Sequence, residues 1–134
     1  RLEMVKLATI DDDRFQASDI EISRSGPTYA IDTVREWKRL HPADELFWIV
    51  GSDALSGIPS WHEWEAFVNE VTIVSVNRIG QSATVDFDVV SVEMPEVRIS
   101  ATELRDKFTN KLDTKYLVPQ KVSDYISDQG LYQA

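Results

Sequence analysis

The sequence is poor in several features that would point to particular functions. It has no cysteine among its 134 residues, which excludes a disulfide framework, a thiolate nucleophile and a sulfur-based zinc site. Basic residues are also scarce, because 14 Lys and Arg stand against 23 Asp and Glu and give a net charge of −9. Such a surface repels phosphate backbones and anionic lipid, so we expect no nucleic-acid partner and no membrane partner.

Long apolar runs are missing as well. The sequence has no stretch of about 18 apolar residues that could span a bilayer, and its N-terminus has no apolar signal-peptide segment. Together with the absence of cysteine, this agrees with a cytoplasmic protein. The length suits a single domain over residues 1–134 with one core. The oligomeric state stays open, a homo-oligomer included.

The features that are present alternate between strand and helix patterns. Unbroken apolar runs at 46–50 and 71–76 are typical of strands that are covered on both faces in a parallel sheet. Helices are predicted at 1–8, 28–41, 61–68 and, after Pro119, up to Gly130. A bulged strand is predicted at 15–22, and short strands at 87–92 and 97–99. This alternation predicts an α/β fold with a mostly parallel sheet.

Candidate ligand contacts follow both apolar strands. Gly51 ends the first strand, where a glycine lets a ligand approach the backbone closely. Asp53 lies two residues later and could accept hydrogen bonds from a ribose or cap a short helix. Arg78 follows the second strand and is either a phosphate contact or an exposed loop arginine. Trp61 closes the first loop, where an aromatic ring could be core or a stacking surface.

A further candidate is the predicted helix start at Ser100. Ser100 and Glu103 have the Ser/Thr-x-x-Glu spacing of a capping box. Free N–H groups at such a start, the hydroxyls of Ser100 and Thr102, and Arg105 one turn further could bind an anion. Capping boxes are common, so a purely structural role is the alternative.

Taken with their neighbours, these residues resemble the bacterial nicotinate-mononucleotide adenylyltransferases, enzymes of NAD biosynthesis. Each motif is weak alone, but six in this order are specific, and they extend the resemblance from Arg1 to Tyr132. The motifs are GPTYAIDT from Gly26 (family pattern GPSYTxDT), IVGSD from Ile49 (IIGAD), Trp61-His62 (WY or WH), Arg78-Ile79-Gly80 (RPG), ISATELR from Ile99 (ISSTxIR), and YLVP from Tyr116 with GLY from Gly130.

The resemblance implies a Rossmann-like nucleotidyltransferase fold and a reaction. The AMP moiety of ATP, bound with Mg²⁺, would pass to nicotinate mononucleotide and give nicotinate adenine dinucleotide and pyrophosphate. Aligning two anions and neutralising their charge needs little acid–base chemistry, so no residue of this sequence is assigned as catalytic or as a metal ligand.

Site residues are also carried over from the resemblance. Trp61 would stack on the pyridine ring, while the turn at Tyr29 and Ala30 and the backbone N–H of His62 would face its carboxylate. The nicotinate mononucleotide set is Tyr29, Ala30, Trp61 and His62, and the ATP set is Gly51, Asp53, Arg78, Ser100, Thr102 and Arg105. The sequence departs from the family at Ala30 (threonine), Ile79 (proline), Ala101 (serine) and His62 (more often tyrosine).

The family begins with a strand and a loop of the type GGTFDPxHxGH, whose glycines and histidines hold the ATP phosphates. We expect roughly 50 residues of this strand-loop-helix portion to precede Arg1. We therefore expect residues 1–134 alone to be inactive. Two alternatives stay open: a sibling adenylyltransferase acting on another phosphate acceptor such as phosphopantetheine, and a non-catalytic fragment or binding module.

Overall fold

The computed structural model describes residues 1–78, 84–95 and 97–133, and the chain divides into two compact units. The first unit comprises Arg1–Asp19 and Val97–Ala134, and the second comprises Ile20–Glu96. The side chains of Asn77 and Arg78 lie outside the described part. Residues 1–134 are predicted to form a single domain, and the division into two units does not test that prediction.

The second unit is built on a parallel sheet of three strands in the order β1-β2-β3. Gly51 of β1 lies opposite Val76 of β2, which in turn lies opposite Val92 of β3. Parallel neighbours need crossover connections, and the β1–β2 crossover is helical. The predicted α/β class with a parallel sheet is thereby confirmed. The strands are β1 (Phe47–Gly51), β2 (Thr72–Arg78) and β3 (Val90–Met94), and the crossover contains α3 (Ser52–Leu55), a 3₁₀ helix (Ile58–Ser60) and α4 (Trp64–Glu70).

The core of this unit lies on one face of the sheet. Helix α2 (Ala30–Leu40) contributes Ile31 and Val34, and α4 contributes Phe67, all of them almost completely buried. The opposite face of β1 is open, since Phe47 is 55% exposed and Ile49 is 69% exposed. The prediction that the first strand is covered on both faces is therefore wrong for this chain. The buried cluster is Ile31, Val34, Val50, Leu55, Ile58, Phe67 and Ile73.

Two of the predicted strands are wrong. The stretch 15–22 is irregular and ends in turns, and no strand from it joins the sheet β1-β2-β3. Near its end, the side chains of Glu21 and Arg24 contact the Thr33 hydroxyl of α2 at 2.8 and 3.3 Å. The stretch 97–99 is also irregular, and its Val97 is 64% exposed. The strand predicted at 87–92 is present but is shifted to Val90–Met94.

The first unit is helical. The predicted opening helix is confirmed as α1 (Leu2–Thr9), and the final helix is α6 (Gln120–Asp128), where Val122 and Ile126 are buried. Gly130 has a φ of +60°, the left-handed conformation that commonly ends a helix. The remaining helix is α5 (Ala101–Thr109). Among the described residues, no helix is long and apolar enough to cross a membrane.

Candidate functional site

The N-terminus of α2 has free backbone donors. Its N-cap residue, Tyr29, is extended (φ −108°, ψ 143°) and makes no side-chain capping hydrogen bond. Within the described part of the chain, the N–H groups of Ala30 and Ile31 therefore have no acceptor. Unsatisfied N–H groups and the helix dipole make such a terminus favourable for a carboxylate or phosphate.

The segment Trp61, His62 and Glu63, here termed the 61–63 turn, lies beside this terminus. The rings of Tyr29 and His62 are tilted at 31° with their centroids 4.2 Å apart. The backbone N–H of His62 has no hydrogen-bond acceptor among the residues that the structure describes. Three of the predicted site residues, Tyr29, Ala30 and His62, are thus brought together.

Trp61 is partly buried and packs on the core. Its indole lies 5.4 Å from the ring of Phe67 and 6.5 Å from that of Trp48, measured between centroids. Its backbone N–H donates to Ile58 at 2.9 Å, which fixes the start of the turn. The indole therefore has a rigid support and an accessible part, as a stacking platform requires.

The residue that ends this turn, Glu63, is not among the predicted site residues. Glu63 is in the left-handed region (φ 48°, ψ 41°) and is the N-cap of α4, so the helix starts at Trp64 and not at Trp61 as predicted. Its carboxylate Oε2 accepts a hydrogen bond of 2.6 Å from Nη2 of Arg35, on α2. The Arg35 guanidinium holds the pKa of Glu63 below its ordinary value. A left-handed glutamate carries no sequence signal, and neither does an ion pair that spans 28 residues.

The carboxyl end of β1 is open. Gly51 has an extended conformation (φ −77°, ψ 161°), and a Cβ added there would meet no heavy atom within 4 Å. Neither the backbone nor internal crowding demands a glycine, so a requirement for one would have to come from a ligand. Gly51 is itself the N-cap of α3, and the interpretation of Asp53 as the cap is wrong. The Asp53 side chain is exposed and, within the described residues, makes no hydrogen bond.

Arg78 is the last residue of β2, so its backbone lies at the same edge of the sheet as Gly51. Its side chain, and all of Ile79 and Gly80, lie outside the described residues. Its predicted phosphate contact stays a prediction.

The start of α5, in the first unit, is a complete capping box, as predicted. The Ser100 hydroxyl accepts from the Glu103 N–H at 3.1 Å and donates to Oε2 of Glu103 at 3.0 Å. Nη2 of Arg105 donates to the Thr102 hydroxyl at 3.1 Å. Thr102 and Arg105 are thus together and exposed, whereas the Ser100 hydroxyl is engaged by a carboxylate that an anion would have to displace.

Residues 1–107 match the model of the cytidylyltransferase-like family. Among curated relatives, nicotinate-nucleotide adenylyltransferase of Bacillus subtilis is 34% identical over 100% of this chain and 71% of its own length. A probable nicotinate-nucleotide adenylyltransferase of Thermus thermophilus is 42% identical over 99% of this chain and 72% of its own length. The chain spans 62% of the length of a third, from Geobacillus thermodenitrificans, at 39% identity.

Solved structures are similar as well. Plasmodium falciparum nicotinic acid mononucleotide adenylyltransferase complexed with NaAD superposes with a TM-score of 0.66 at 26% identity, over 86% of this chain and 62% of that one. The same enzyme complexed with APC gives a TM-score of 0.71 at 24% identity, over 92% of this chain and 70% of that one. The similarity to the APC complex, at 24% identity, shows a shared fold and nothing more.

Proposed function

The chain belongs to the cytidylyltransferase-like family and, within it, to the nicotinate-nucleotide adenylyltransferases, and from this membership we propose that the protein transfers AMP from ATP to nicotinate mononucleotide. The products are nicotinate adenine dinucleotide and pyrophosphate, in NAD biosynthesis. The observation that carries the proposal is the identity of 34% and 42% to two relatives of that name over almost the whole chain.

The nicotinate end of the site is the better supported half. The free N–H groups at the start of α2 and of His62 belong to the two segments that the Tyr29–His62 ring contact brings together. They can bind a carboxylate through the backbone, which does not depend on the side chain at position 30. Alanine in place of the family's threonine there removes one hydroxyl donor and leaves these amides. Trp61, supported by Phe67, supplies the stacking surface for the pyridine ring.

For ATP, we propose two separate sets of contacts, one in each of the two units. Gly51 and Asp53 meet the nucleotide where β1 ends, with Arg78 following β2. Thr102 and Arg105 bind phosphate oxygens as hydroxyl and guanidinium donors, joined by Ser100 when its bond to Glu103 opens. These assignments are proposals for each residue.

Mg²⁺ is proposed as the cofactor that accompanies ATP. The described residues contain no group of three or more His, Cys, Asp or Glu placed to hold a metal. Mg²⁺ in such enzymes is held mostly by substrate phosphates and water, with one or two carboxylates, so this donor set fits an ion that arrives with ATP. When bound, the ion neutralises phosphate charge, and the chain's amides, hydroxyls and arginines position the two nucleotides.

The deciding assay uses the full-length gene product with ATP, Mg²⁺ and nicotinate mononucleotide. We expect dinucleotide formation and a higher kcat/KM for the nicotinate form than for the nicotinamide form. A panel that includes phosphopantetheine tests the sibling activity. Absence of dinucleotide, or preference for another acceptor by orders of magnitude, would contradict the proposal. Cytoplasmic location and a homo-oligomeric state stay predictions.

A further inference from the structure

We propose that Arg35 is a positioning residue for the nicotinate carboxylate: by holding Glu63, it fixes the 61–63 turn so that the His62 N–H is kept beside the N-terminus of α2. The inference rests on the proposed function. Arg35 itself contacts no substrate in this scheme and acts through the conformation of the turn.

The turn has a conformation that needs support. Glu63 is one of four non-glycine residues with positive φ among those the structure describes. Such a conformation is unfavourable for a residue with a Cβ and persists when surrounding contacts determine it. The Glu63 carbonyl also accepts the Phe67 N–H at 3.0 Å, so the residue couples the turn to the first hydrogen bond of α4. A shift at Glu63 would therefore move His62 on one side and α4 on the other.

Arg35 provides that support from a neighbouring helix. Its Nη2 lies 2.6 Å from Oε2 of Glu63, and its Nε lies 3.5 Å from Oε1 of Glu70. Glu63 and Glu70 stand at opposite ends of α4, so one guanidinium contacts both ends of the helix. A planar fork of donors suits this two-point contact better than the single ammonium of lysine.

A second contact from the same helix holds the adjacent residue. Tyr29 caps α2 and its ring meets that of His62, while Arg35 lies six residues further along α2 and meets Glu63. Six residues of helix rise about 9 Å, so two successive residues of the turn are held from two separated points. Nε2 of His62 and Oε1 of Glu63 are 3.3 Å apart, which ties the two contacts together. The orientation of the turn relative to α2 is thereby determined.

If the Arg35–Glu63 pair were an ordinary surface ion pair, its loss would have a different effect on the kinetics. Arg35 and Glu63 side chains are 43% and 44% exposed, and pairs with such exposure contribute little to stability. If this pair were only a surface feature, its loss would leave the kinetics unchanged or would affect both substrates alike. A positioning role predicts a selective rise in the KM for nicotinate mononucleotide, because the carboxylate alone depends on the His62 N–H.

The test uses full-length protein and five variants. Arg35→Ala and Glu63→Gln should each raise the KM for nicotinate mononucleotide about 1.4- to fivefold, the range expected for loss of one exposed charged contact, with the KM for ATP and kcat nearly unchanged. Arg39→Ala is the matched control, because Arg39 is on the same helix but pairs with Glu36 at 3.5 Å and not with the turn. Exchange of the two charges in Arg35→Glu/Glu63→Arg should restore only part of the loss, because the carboxylate at position 35 would face Glu70.

Two further measurements keep the test decisive. Arg35→Lys retains the charge without the two-point contact, so it should give an intermediate KM and serves if the alanine variant folds poorly. Hydrogen exchange of the Phe67 amide, which donates to the Glu63 carbonyl, should be faster in Arg35→Ala than in Arg39→Ala, whatever the substrate. Equal KM changes for both substrates, an Arg39→Ala effect of the same size, or unchanged exchange would overturn the inference. No dinucleotide from the wild type would overturn the proposed function instead.

Discussion

The indole of Trp61 lies 5.4 Å from the ring of Phe67, and the two planes are inclined at 51°. Phe67 is completely buried, whereas Trp61 is only partly buried. One end of the site is therefore attached directly to the hydrophobic core. A stacking surface held in this way loses little conformational freedom when a ligand binds, which favours affinity.

Replacement of Trp61 separates its proposed stacking on the pyridine ring from its packing against the core. Trp61→Ala should raise the KM for nicotinate mononucleotide about 5- to 150-fold, since stacking on an aromatic ring contributes roughly 1–3 kcal/mol, and should change the KM for ATP much less. Trp61→Phe keeps a ring against Phe67 and should recover part of the affinity. Steady-state kinetics with each substrate varied in turn provides the measurement. Equal losses for both substrates would mean that Trp61 serves only as core.

Gly51 offers a test in which stability and binding should diverge. Its φ of −77° suits alanine, and the added Cβ meets no protein atom within 4 Å, so Gly51→Ala should leave the urea midpoint nearly unchanged. If ATP approaches the backbone there, the same methyl group should raise the KM for ATP several-fold. Gly57→Ala is the contrasting variant for the urea midpoint, because the Cβ added at Gly57 would have a close neighbour, the Ala54 carbonyl oxygen at 3.3 Å. Unchanged ATP kinetics in Gly51→Ala would remove Gly51 from the ATP site.

The sequence predicted the elements whose signals are local. The apolar runs that became β1 and β2, the helix ended by Pro42 and the capping box at Ser100 all depend on neighbours within a few residues. The strand predicted at 15–22 failed because alternation shows only that a segment could pair. Whether it does depends on a sheet edge within reach, and here the end of the stretch forms turns, with the Glu21 side chain against Thr33 of α2.

The site residues, too, fall into those with a local sequence signal and those that depend on contacts between distant residues. Motif order was sufficient to single out Tyr29, Ala30 and His62, whose proximity the Tyr29–His62 contact demonstrates. The Arg35–Glu63 pair could not be predicted, since it depends on how α2 packs against α4 and on a left-handed residue that no pattern marks. Contacts between residues distant in sequence require the packing itself.

The capping box at α5 allows the roles of Ser100 and Glu103 to be separated. Ser100→Ala removes the cap and should cost about 0.5–2 kcal/mol of unfolding free energy. Under the proposed function it should also raise the KM for ATP. Glu103→Ala removes the other half of the box, together with a negative charge near the phosphate donors, and should lower stability without raising the KM for ATP. Urea denaturation and ATP kinetics of both variants provide the test, and a parallel rise in KM for the two would contradict it.

The pH dependence of stability should reveal the Arg35–Glu63 pair. Hydrogen bonding from Arg35 lowers the pKa of Glu63 below its ordinary value of 4.5, with a smaller contribution from the charge of His62. A depressed folded-state pKa means that the stabilisation is fully present above the unfolded pKa and is lost as pH falls through the folded one. The urea midpoint of wild type should therefore exceed that of Glu63→Gln at about pH 5, and the margin should close as the pH falls further. In an Arg35→Ala background the margin should be small throughout, because the partner that lowers the pKa is gone. A margin that stayed unchanged as the pH fell from about 5 to about 3 would show that the carboxylate is not stabilised by this guanidinium.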